Sequence, residues 1–356
     1  MLHDEPVFYD ALFRSKRKKG AFRIVEPPTP PLEGLVADTH AHLEMLADIP
    51  LALARCAFFG LDFVCCITDV SEDELAVFSQ AALWREEAAA MLSQIAGGGE
   101  SATGTGAHKG EGALPRAAAE TAMDGLPHAS SIPHIRAAIG CHPHNAKSYS
   151  ETLESSLLER LADPLACAIG EVGLDYHYDF SPRDVQRNVF RAQIALAHMT
   201  GLPLVLHIRE AHDDALAIME EEGFPEGGTL LHCFNLDAQA LAPWVAHGCF
   251  IALGGPLTFK GSDELRSAAL QIPLDRILTE TDAPFMTPEP MRGMDCEPSH
   301  TIFTAQRLAQ VLGFEPGERR KRFLEGMYQN ALGLLDRQPT AWQQQAQGSW
   351  LQVPLC

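Results

Sequence analysis

The stretch Glu280–Phe285, with the sequence ETDAPF, decides how the rest of this chain is interpreted. It follows Leu274–Thr279 (LDRILT), which is typical of a short β-strand. An apolar run that ends in carboxylates places those carboxylates at the carboxyl end of a strand, which is the catalytic face of a β/α barrel. An Asp before Ala-Pro is also ordinary loop chemistry, so a turn explains Asp282 equally well when this stretch is taken alone.

Short apolar runs alternate with helical patterns from residue 35 to residue 335. Eight such runs favour an α/β fold in one domain, a (β/α)8 TIM barrel. An open, doubly wound sheet is the alternative, and it would require a Gly-rich nucleotide turn after the first strand. The first predicted strand ends instead in His40-Ala41-His42, which favours the barrel.

Three segments lie outside this alternation. Residues 1–34 are interpreted as an irregular N-terminal extension that contains a basic cluster, and residues 336–356 as a Gln-rich C-terminal tail. Residues 96–133 are rich in Gly, Ala and Ser and are predicted to form a flexible insertion on a loop. Just before this insertion, Ser71 followed by Glu74 forms a capping-box pattern that predicts a helix from residue 71 to residue 95.

The overall charge limits the kinds of partner. The chain has 356 residues, a globular composition and a formal net charge of −20. Such a charge argues against a broad basic groove that tracks nucleic acid. It does not exclude a small pocket for one phosphodiester, because bound metal ions supply local positive charge.

The cysteines and the apolar runs bear on compartment. Nine cysteines occur without a C-x-x-C pair or framework spacing, which predicts reduced thiols and a cytoplasmic location. The amino-terminal residues lack a hydrophobic stretch after their charges, so no signal peptide is predicted. No apolar run approaches the roughly 20 residues needed to span a membrane.

Residues of metal-ligand type follow five of the predicted strands. His40 and His42 are two residues apart, so in extended geometry their side chains lie on one face. Imidazole and carboxylate groups that converge from separate strands form a site suited to divalent ions such as Zn, Mn or Mg. The candidate ligands are His40, His42, Glu171, His207, His232 and Asp282.

Six candidate ligands are sufficient for a pair of ions that activates a water molecule. Glu171 is the natural bridge between the ions, and Asp282 can also take a proton from the water, so these two residues are the predicted catalytic groups. Glu280 could orient a ligand histidine. The sequence has no Gly-x-Ser-x-Gly elbow, which argues against covalent serine catalysis.

The motifs that carry these residues resemble, in order, those of TatD-type metal-dependent deoxyribonucleases of the amidohydrolase superfamily. The resemblance covers about residues 35–335. Its six stretches are Asp38–His42 (DTHAH), Gly140–His144 (GCHPH), Gly170–Tyr176 (GEVGLDY), Leu206–Ala211 (LHIREA), His232–Phe234 (HCF) and Glu280–Pro284 (ETDAP).

The resemblance implies a TIM barrel that binds two divalent ions (Mg, Mn or Zn). It also implies a DNA substrate, which the protein would cleave as a 3′-5′ exonuclease acting on single-stranded or frayed ends. One ion would be held by His40, His42, Glu171 and Asp282, and the other by Glu171, His207 and His232. The alternative is hydrolysis of another bond in the same barrel, such as an aminoacyl-tRNA ester or a small phosphoester. A third possibility is a non-enzymatic barrel that binds a partner through its insertion and tails.

Substrate contacts are predicted near these ligands. His142 and His144 are interpreted as contacts to a substrate phosphate or leaving oxygen, although a loop in which they satisfy backbone groups is an alternative. Arg209 follows His207 by two residues and could fork a phosphate, or form a surface salt bridge. Tyr176 and Phe234 could stack a base, or pack in the core.

Overall fold

The computed structural model describes five parts of the chain. These are residues 13–16, 22–29, 31–72, 75–97 and 131–350. The prediction of a flexible insertion falls largely on residues 98–130, which lie outside the described residues. No helix within the described ranges is both long and apolar enough to cross a membrane.

Eight parallel strands form one sheet and follow one another in chain order around it. A short antiparallel hairpin precedes them. The hairpin strands are β1 (Arg14–Lys16) and β2 (Phe22–Ile24), and the sheet strands are β3 (Val36–Ala41), β4 (Leu61–Asp69), β5 (His134–Gly140), β6 (Ala166–Asp175), β7 (Leu204–Arg209), β8 (Thr229–Leu231), β9 (Phe250–Leu253) and β10 (Ile277–Thr279).

Hydrogen bonds between the first and last sheet strands close the barrel. The Thr39 hydroxyl donates to the Thr279 carbonyl (3.0 Å), and the Thr279 hydroxyl donates to the Ala37 carbonyl (3.0 Å). Just beyond β10, the Asp282 amide donates to the His40 carbonyl (2.8 Å). The predicted (β/α)8 barrel is therefore confirmed.

Alternation along each strand separates the barrel interior from the helix-covered outside. Inward side chains such as Phe63, Val205 and Leu230 are fully buried and pack in one cluster. His207 lies two residues after Val205, and His232 lies two residues after Leu230, so both histidines point to the same inward side. The barrel is therefore filled by apolar side chains below and presents imidazoles at its carboxyl end.

Helices cover the outside of the barrel, and in the described part of the chain all but the last three lie between successive sheet strands. In chain order they are α1 (Ile49–Phe58), α2 (Val77–Gly97), α3 (Glu151–Leu161), α4 (Arg183–Thr200), α5 (His212–Glu222), α6 (Ala238–Ala246), α7 (Asp263–Ala269), α8 (Thr301–Val311), α9 (Glu318–Leu335) and α10 (Ala341–Trp350).

Helix α2 begins later than the capping-box pattern predicts. Its first residue is Val77, whereas the Ser71 amide and hydroxyl both donate to the Asp69 carboxylate (2.7 and 2.6 Å) in a turn. The Glu44 carboxylate accepts hydrogen bonds from the amides of Ala76 (3.2 Å) and Val77 (3.0 Å). The helix is therefore capped by a residue from another segment, which moves its start.

Both ends of the described chain pack against the barrel. Phe13, just before the N-terminal hairpin, is only 3% exposed and meets the ring of Phe303 edge-on at a centroid distance of 4.8 Å. At the other end, α10 buries Gln343 against the start of β6. The predicted irregular extension and tail thus contain ordered elements.

Candidate metal centre

Glu171 lies at the middle of a histidine cluster at the carboxyl end of the barrel. Its Oε2 atom lies 3.4 Å from His40 Nε2 and 3.8 Å from His42 Nε2. Its Oε1 atom lies 2.5 Å from His207 Nδ1 and 2.8 Å from His232 Nε2. The two oxygens of one carboxylate therefore face two different pairs of histidines.

Asp282 completes the side of the cluster that contains the first histidine pair. Its Oδ1 atom lies 3.4 Å from His42 Nε2 and 3.8 Å from His40 Nε2. Its backbone is left-handed, with φ of 61°, a conformation that is uncommon for a non-glycine residue and frequent at functional sites. The structure thus brings together all six residues that the sequence singles out as metal-ligand candidates.

Unpartnered buried atoms show that these residues fit a cation. His40 is fully buried, and within the described part of the chain neither of its ring nitrogens has a hydrogen-bond partner. A buried polar atom left unpaired costs about 1–3 kcal/mol, so such atoms call for a partner. Imidazole nitrogens and carboxylate oxygens are the donors that Zn, Mn and related divalent ions accept.

The electrostatics of the cluster keep its carboxylates ionised. Burial alone would raise the pKa of Glu171, but the nearby His232 and His207 hold that pKa well below its usual range. Burial would likewise raise the pKa of Asp282, and the hydrogen bond from His42 lowers it. Burial lowers the pKa of His40. The carboxylates are therefore ionised and the His40 ring is neutral, as metal coordination requires. Burial would lower the pKa values of His42, His207 and His232, but the adjacent carboxylates raise them, so these three rings would release protons when a cation binds.

Asp175 is a buried carboxylate that our sequence interpretation did not assign. Its Oδ2 atom accepts hydrogen bonds from His144 Nε2 (2.9 Å) and His207 Nε2 (3.1 Å). Its Oδ1 atom accepts from the amides of His177 and Tyr178 (2.9 Å each). A carboxylate that holds the outer nitrogen of a ligand imidazole fixes the direction of the inner one. The available signal was its position at the end of β6, the same signal that singled out Asp282.

Two further buried acids hold the strand ends in place. Asp38 Oδ1 accepts from the amides of His40 (3.2 Å) and Thr281 (2.9 Å), so it ties β3 to the segment after β10. Burial raises the pKa of Asp38 to about 8. Glu280 Oε1 accepts from the Cys233 amide (2.6 Å) and lies 3.7 Å from His232 Nδ1. This position agrees with the predicted orienting role of Glu280.

The predicted substrate contacts line a cavity of about 820 Å³ above the cluster. His142 Nε2 lies 3.7 Å from Glu171 Oε1, and its Nδ1 accepts from the His144 amide (3.1 Å). His144 also borders the cavity, but its Nε2 is engaged with Asp175. The Arg209 guanidinium borders the cavity too.

The aromatic side chains that face the cavity are not the two that the sequence offers as candidates for base stacking. Phe234 is 3% exposed and packs in the core. The Tyr176 hydroxyl donates to Asp214 (2.6 Å), and Tyr176 is not among the described residues that line the cavity. Tyr178 and Phe180 line it instead. The loop after β6 turns between these positions, and residue spacing alone does not reveal that turn.

The profile of one protein family matches most of this chain. The family is described as TatD related DNase, and the match extends over residues 37–332. The chain belongs to the TatD-related DNase family. This TatD-family protein is 42% identical over 177 residues to the uncharacterized metal-dependent hydrolase YabD of Bacillus subtilis. The aligned region covers 50% of this chain and 69% of that protein. It is a metal-dependent hydrolase by family.

Other relatives of this TatD-family protein carry nuclease names. It is 33% identical over 193 residues to the 3′-5′ ssDNA/RNA exonuclease TatD of Escherichia fergusonii, covering 52% of this chain and 73% of that protein. It is 39% identical over 180 residues to the human 3′-5′ RNA nuclease TATDN2, covering 49% of this chain and 24% of that protein.

Solved structures agree on the fold. The TatD homologue YJJV from Escherichia coli K12 superposes with a TM-score of 0.63 at 21% identity, covering 85% of this chain and 98% of that one. At that identity the likeness shows the fold alone.

Proposed function

We propose that this TatD-family protein is a divalent-metal-dependent nuclease that hydrolyses DNA phosphodiesters in the 3′ to 5′ direction, from single-stranded or frayed ends. The observation that carries the proposal is the division of Glu171 between two histidine pairs, with Oε2 toward His40 and His42 and Oε1 toward His207 and His232. The nuclease names of two relatives support the choice of a nucleic-acid substrate.

Two divalent ions (Mg, Mn or Zn) are proposed as cofactors. The residues proposed to hold one are His40, His42, Glu171 and Asp282, and those proposed to hold the other are Glu171, His207 and His232. When bound, such ions lower the pKa of a water molecule and offset the negative charge of a phosphodiester.

Asp282 is proposed to take the proton of the attacking water. Both carboxylates border the cavity, but the Asp282 side chain is 13% exposed, whereas Glu171 is 6% exposed and is surrounded by histidines. A general base must reach the proton it abstracts, and the more open carboxylate meets that requirement. Glu171 would then help to hold both ions, and Asp282 would accept the proton.

His142 and Arg209 are proposed to hold the substrate phosphate. Because His142 Nδ1 accepts from the His144 amide, its proton is on Nε2, which faces Glu171 across 3.7 Å. An N–H donor at that position can bind a phosphate oxygen or the leaving oxygen. Arg209 offers a planar fork that matches a phosphate. His144 is proposed to position His142 through its backbone amide and to make a secondary contact with the substrate, because its Nε2 is already bonded to Asp175.

Cleavage of an end-labelled single-stranded oligonucleotide in Mg, Mn or Zn tests the proposal. We expect stepwise shortening by the wild type and its loss in Asp282→Asn, with 5′ and 3′ labels reporting the direction. Asp275→Asn is the matched control, because Asp275 lies on the turn before β10 and its side chain is 70% exposed. An oligonucleotide left intact by protein that has bound two ions would contradict the nuclease proposal.

A second candidate is hydrolysis of a shorter substrate, such as an aminoacyl-tRNA ester or a small phosphoester. One wall of the cavity carries Glu44, Asp69 and Glu72, and the chain has a net charge of −20. This charge opposes the approach of a long polyanion at low salt. Turnover of a small diester or of aminoacyl-tRNA far faster than turnover of DNA would favour this candidate.

A further inference from the structure

Exposed apolar side chains are concentrated at the mouth of the metal cavity. Of ten large hydrophobic side chains that are exposed in the described part of the chain, six line this cavity. They are Met45, Tyr178, Phe180, Leu236, Phe285 and Met286. Apolar side chains clustered at a rim mark a binding surface, whereas single scattered ones need no explanation. The cavity is therefore built to receive a ligand with apolar groups as well as negative charge.

A stacked aromatic pair after β6 forms part of this rim. The rings of Tyr178 and Phe180 have centroids 5.1 Å apart and planes inclined by 14°, and the side chains are 48% and 56% exposed. The edge of His144 supports both rings, and Asp175 holds the Tyr178 amide. The pair is thus fixed to the same carboxylate that orients the metal-ligand candidate His207.

A second aromatic side chain lies on the opposite side of the metal centre. Phe285 follows β10, lies three residues after Asp282 and is 47% exposed. The strands β6 and β10 are the fourth and eighth of the closed eight-stranded barrel, so their carboxyl ends face each other across it. Aromatic surfaces therefore flank the candidate metal ligands on two sides.

The ligand class that matches this arrangement has a flat group on each side of a phosphodiester. In a single-stranded nucleic acid a base flanks each phosphate on both sides, and unpaired bases stack on aromatic side chains regardless of sequence. Bases inside a duplex are already stacked and cannot present their faces. The Arg209 guanidinium lies 4.7 Å from the centroid of the Tyr178 ring, which brings positive charge to the same wall.

We infer that the Tyr178–Phe180 pair is the stacking surface for an unpaired base next to the hydrolysed bond, and that Phe285 contacts the base on the other side. This inference rests on the proposed nuclease function and adds the residues that select single-stranded ends. Phe180 makes the main contact, because it is the more exposed of the two stacked rings and the Arg209 guanidinium lies against Tyr178.

The experiment compares two single-stranded oligonucleotides that differ only at the terminal nucleotides, which carry bases in one and are abasic in the other. We expect the wild-type ratio of kcat/KM, normal over abasic, to be roughly 5 to 160 for each stacked base. Phe180→Ala should reduce this ratio toward one. Phe180→Leu should reduce it similarly because it keeps an apolar group but removes the ring, whereas Phe180→Trp should preserve it.

Met199→Ala is the matched control, because Met199 is a similarly exposed apolar residue (50%) on α4 and does not line the cavity. A wild-type ratio near one, or the wild-type ratio in Phe180→Ala, would overturn the stacking surface while the nuclease function stands. Full retention of the ratio by Phe180→Leu would also overturn stacking. If the wild type cleaves neither oligonucleotide in any metal, both the proposed function and this inference fail.

Discussion

Asp175 shows how a single residue can couple two parts of the site. Two imidazoles meet at its Oδ2 atom and two loop amides at its Oδ1 atom. Burial would raise the pKa of Asp175, but the hydrogen bonds from His144 and His207 hold it far below its usual range. The ionised carboxylate therefore directs His207 Nδ1 toward Glu171 and also fixes the loop that carries Tyr178.

We expect Asp175→Asn to weaken metal binding by roughly 10- to 100-fold, as loss of an orienting carboxylate typically does. The amide side chain keeps the size of Asp but presents a donor where two imidazole N–H groups need an acceptor. Titration calorimetry with Zn or Mn measures the affinity. Asp179→Asn is the control, since Asp179 is exposed and forms a surface ion pair with Arg183. Unchanged affinity in Asp175→Asn would exclude an orienting role.

The six metal-ligand candidates could be selected from the sequence because each follows a strand, and parallel strand ends meet on one rim. The pairing of atoms could not be predicted this way. That Glu171 divides its oxygens between two histidine pairs depends on side-chain directions, which spacing leaves open. The same limit explains why the sequence suggests Tyr176 as a possible stacking residue while Tyr178 lines the cavity, since the direction of each side chain depends on the turn of the loop between them.

At the scale of elements, contacts between distant segments decide where helices begin. The strands and helices of the barrel could be predicted from periodicity, but α2 starts at Val77 because Glu44, far away in sequence, accepts from its first amides. The turn Pro298–His300 before α8 is closed instead by a local contact, in which the buried His300 ring accepts a hydrogen bond at Nδ1 from the Glu297 amide (3.0 Å).

This turn makes stability depend on pH. Burial lowers the pKa of His300 to about 4, below the value of 6.5 for an exposed ring. Between these two values the unfolded chain binds a proton that the folded chain does not, so the free energy of unfolding falls as pH falls. The slope from this group approaches about 1.4 kcal/mol per pH unit, and above pH 6.5 its contribution is constant.

We expect His300→Asn to flatten this dependence, because Asn retains an acceptor for the Glu297 amide but does not titrate. Urea unfolding at intervals from about pH 4.5 to pH 7.5 gives the slope, and the difference between variant and wild type isolates His300 from the other histidines. His134→Asn is the matched control, since the His134 side chain is 61% exposed. Parallel curves for wild type and His300→Asn would show that the ring is not buried in its neutral form.

At the scale of the whole molecule, the two ends of the barrel have separate tasks. The carboxyl end gathers the acids and imidazoles, while the amino end is closed by segments whose role was not evident from their composition. The composition of the Gln-rich tail does not predict its contacts. Gln343 binds backbone carbonyl groups, which every residue carries, so the sequence does not show which of them it will meet. Gln343 is 1% exposed and its side-chain amide donates to the carbonyls of Leu161 (2.9 Å) and Ala166 (3.0 Å).

We expect Gln343→Ala to lower the free energy of unfolding by about 2 kcal/mol, because it leaves buried carbonyl groups without donors. Chemical denaturation measures the loss. Gln344→Ala is the control, because Gln344 is the next residue in the chain and its side chain is exposed.

Ala166 begins β6, whereas Asp175 ends it, so Gln343→Ala changes a contact at the far end of this strand from the metal centre. Metal affinity per folded molecule should therefore stay unchanged. A variant as stable as the wild type would show that α10 contributes little, and a variant with altered metal affinity would show that the two ends of the barrel are coupled.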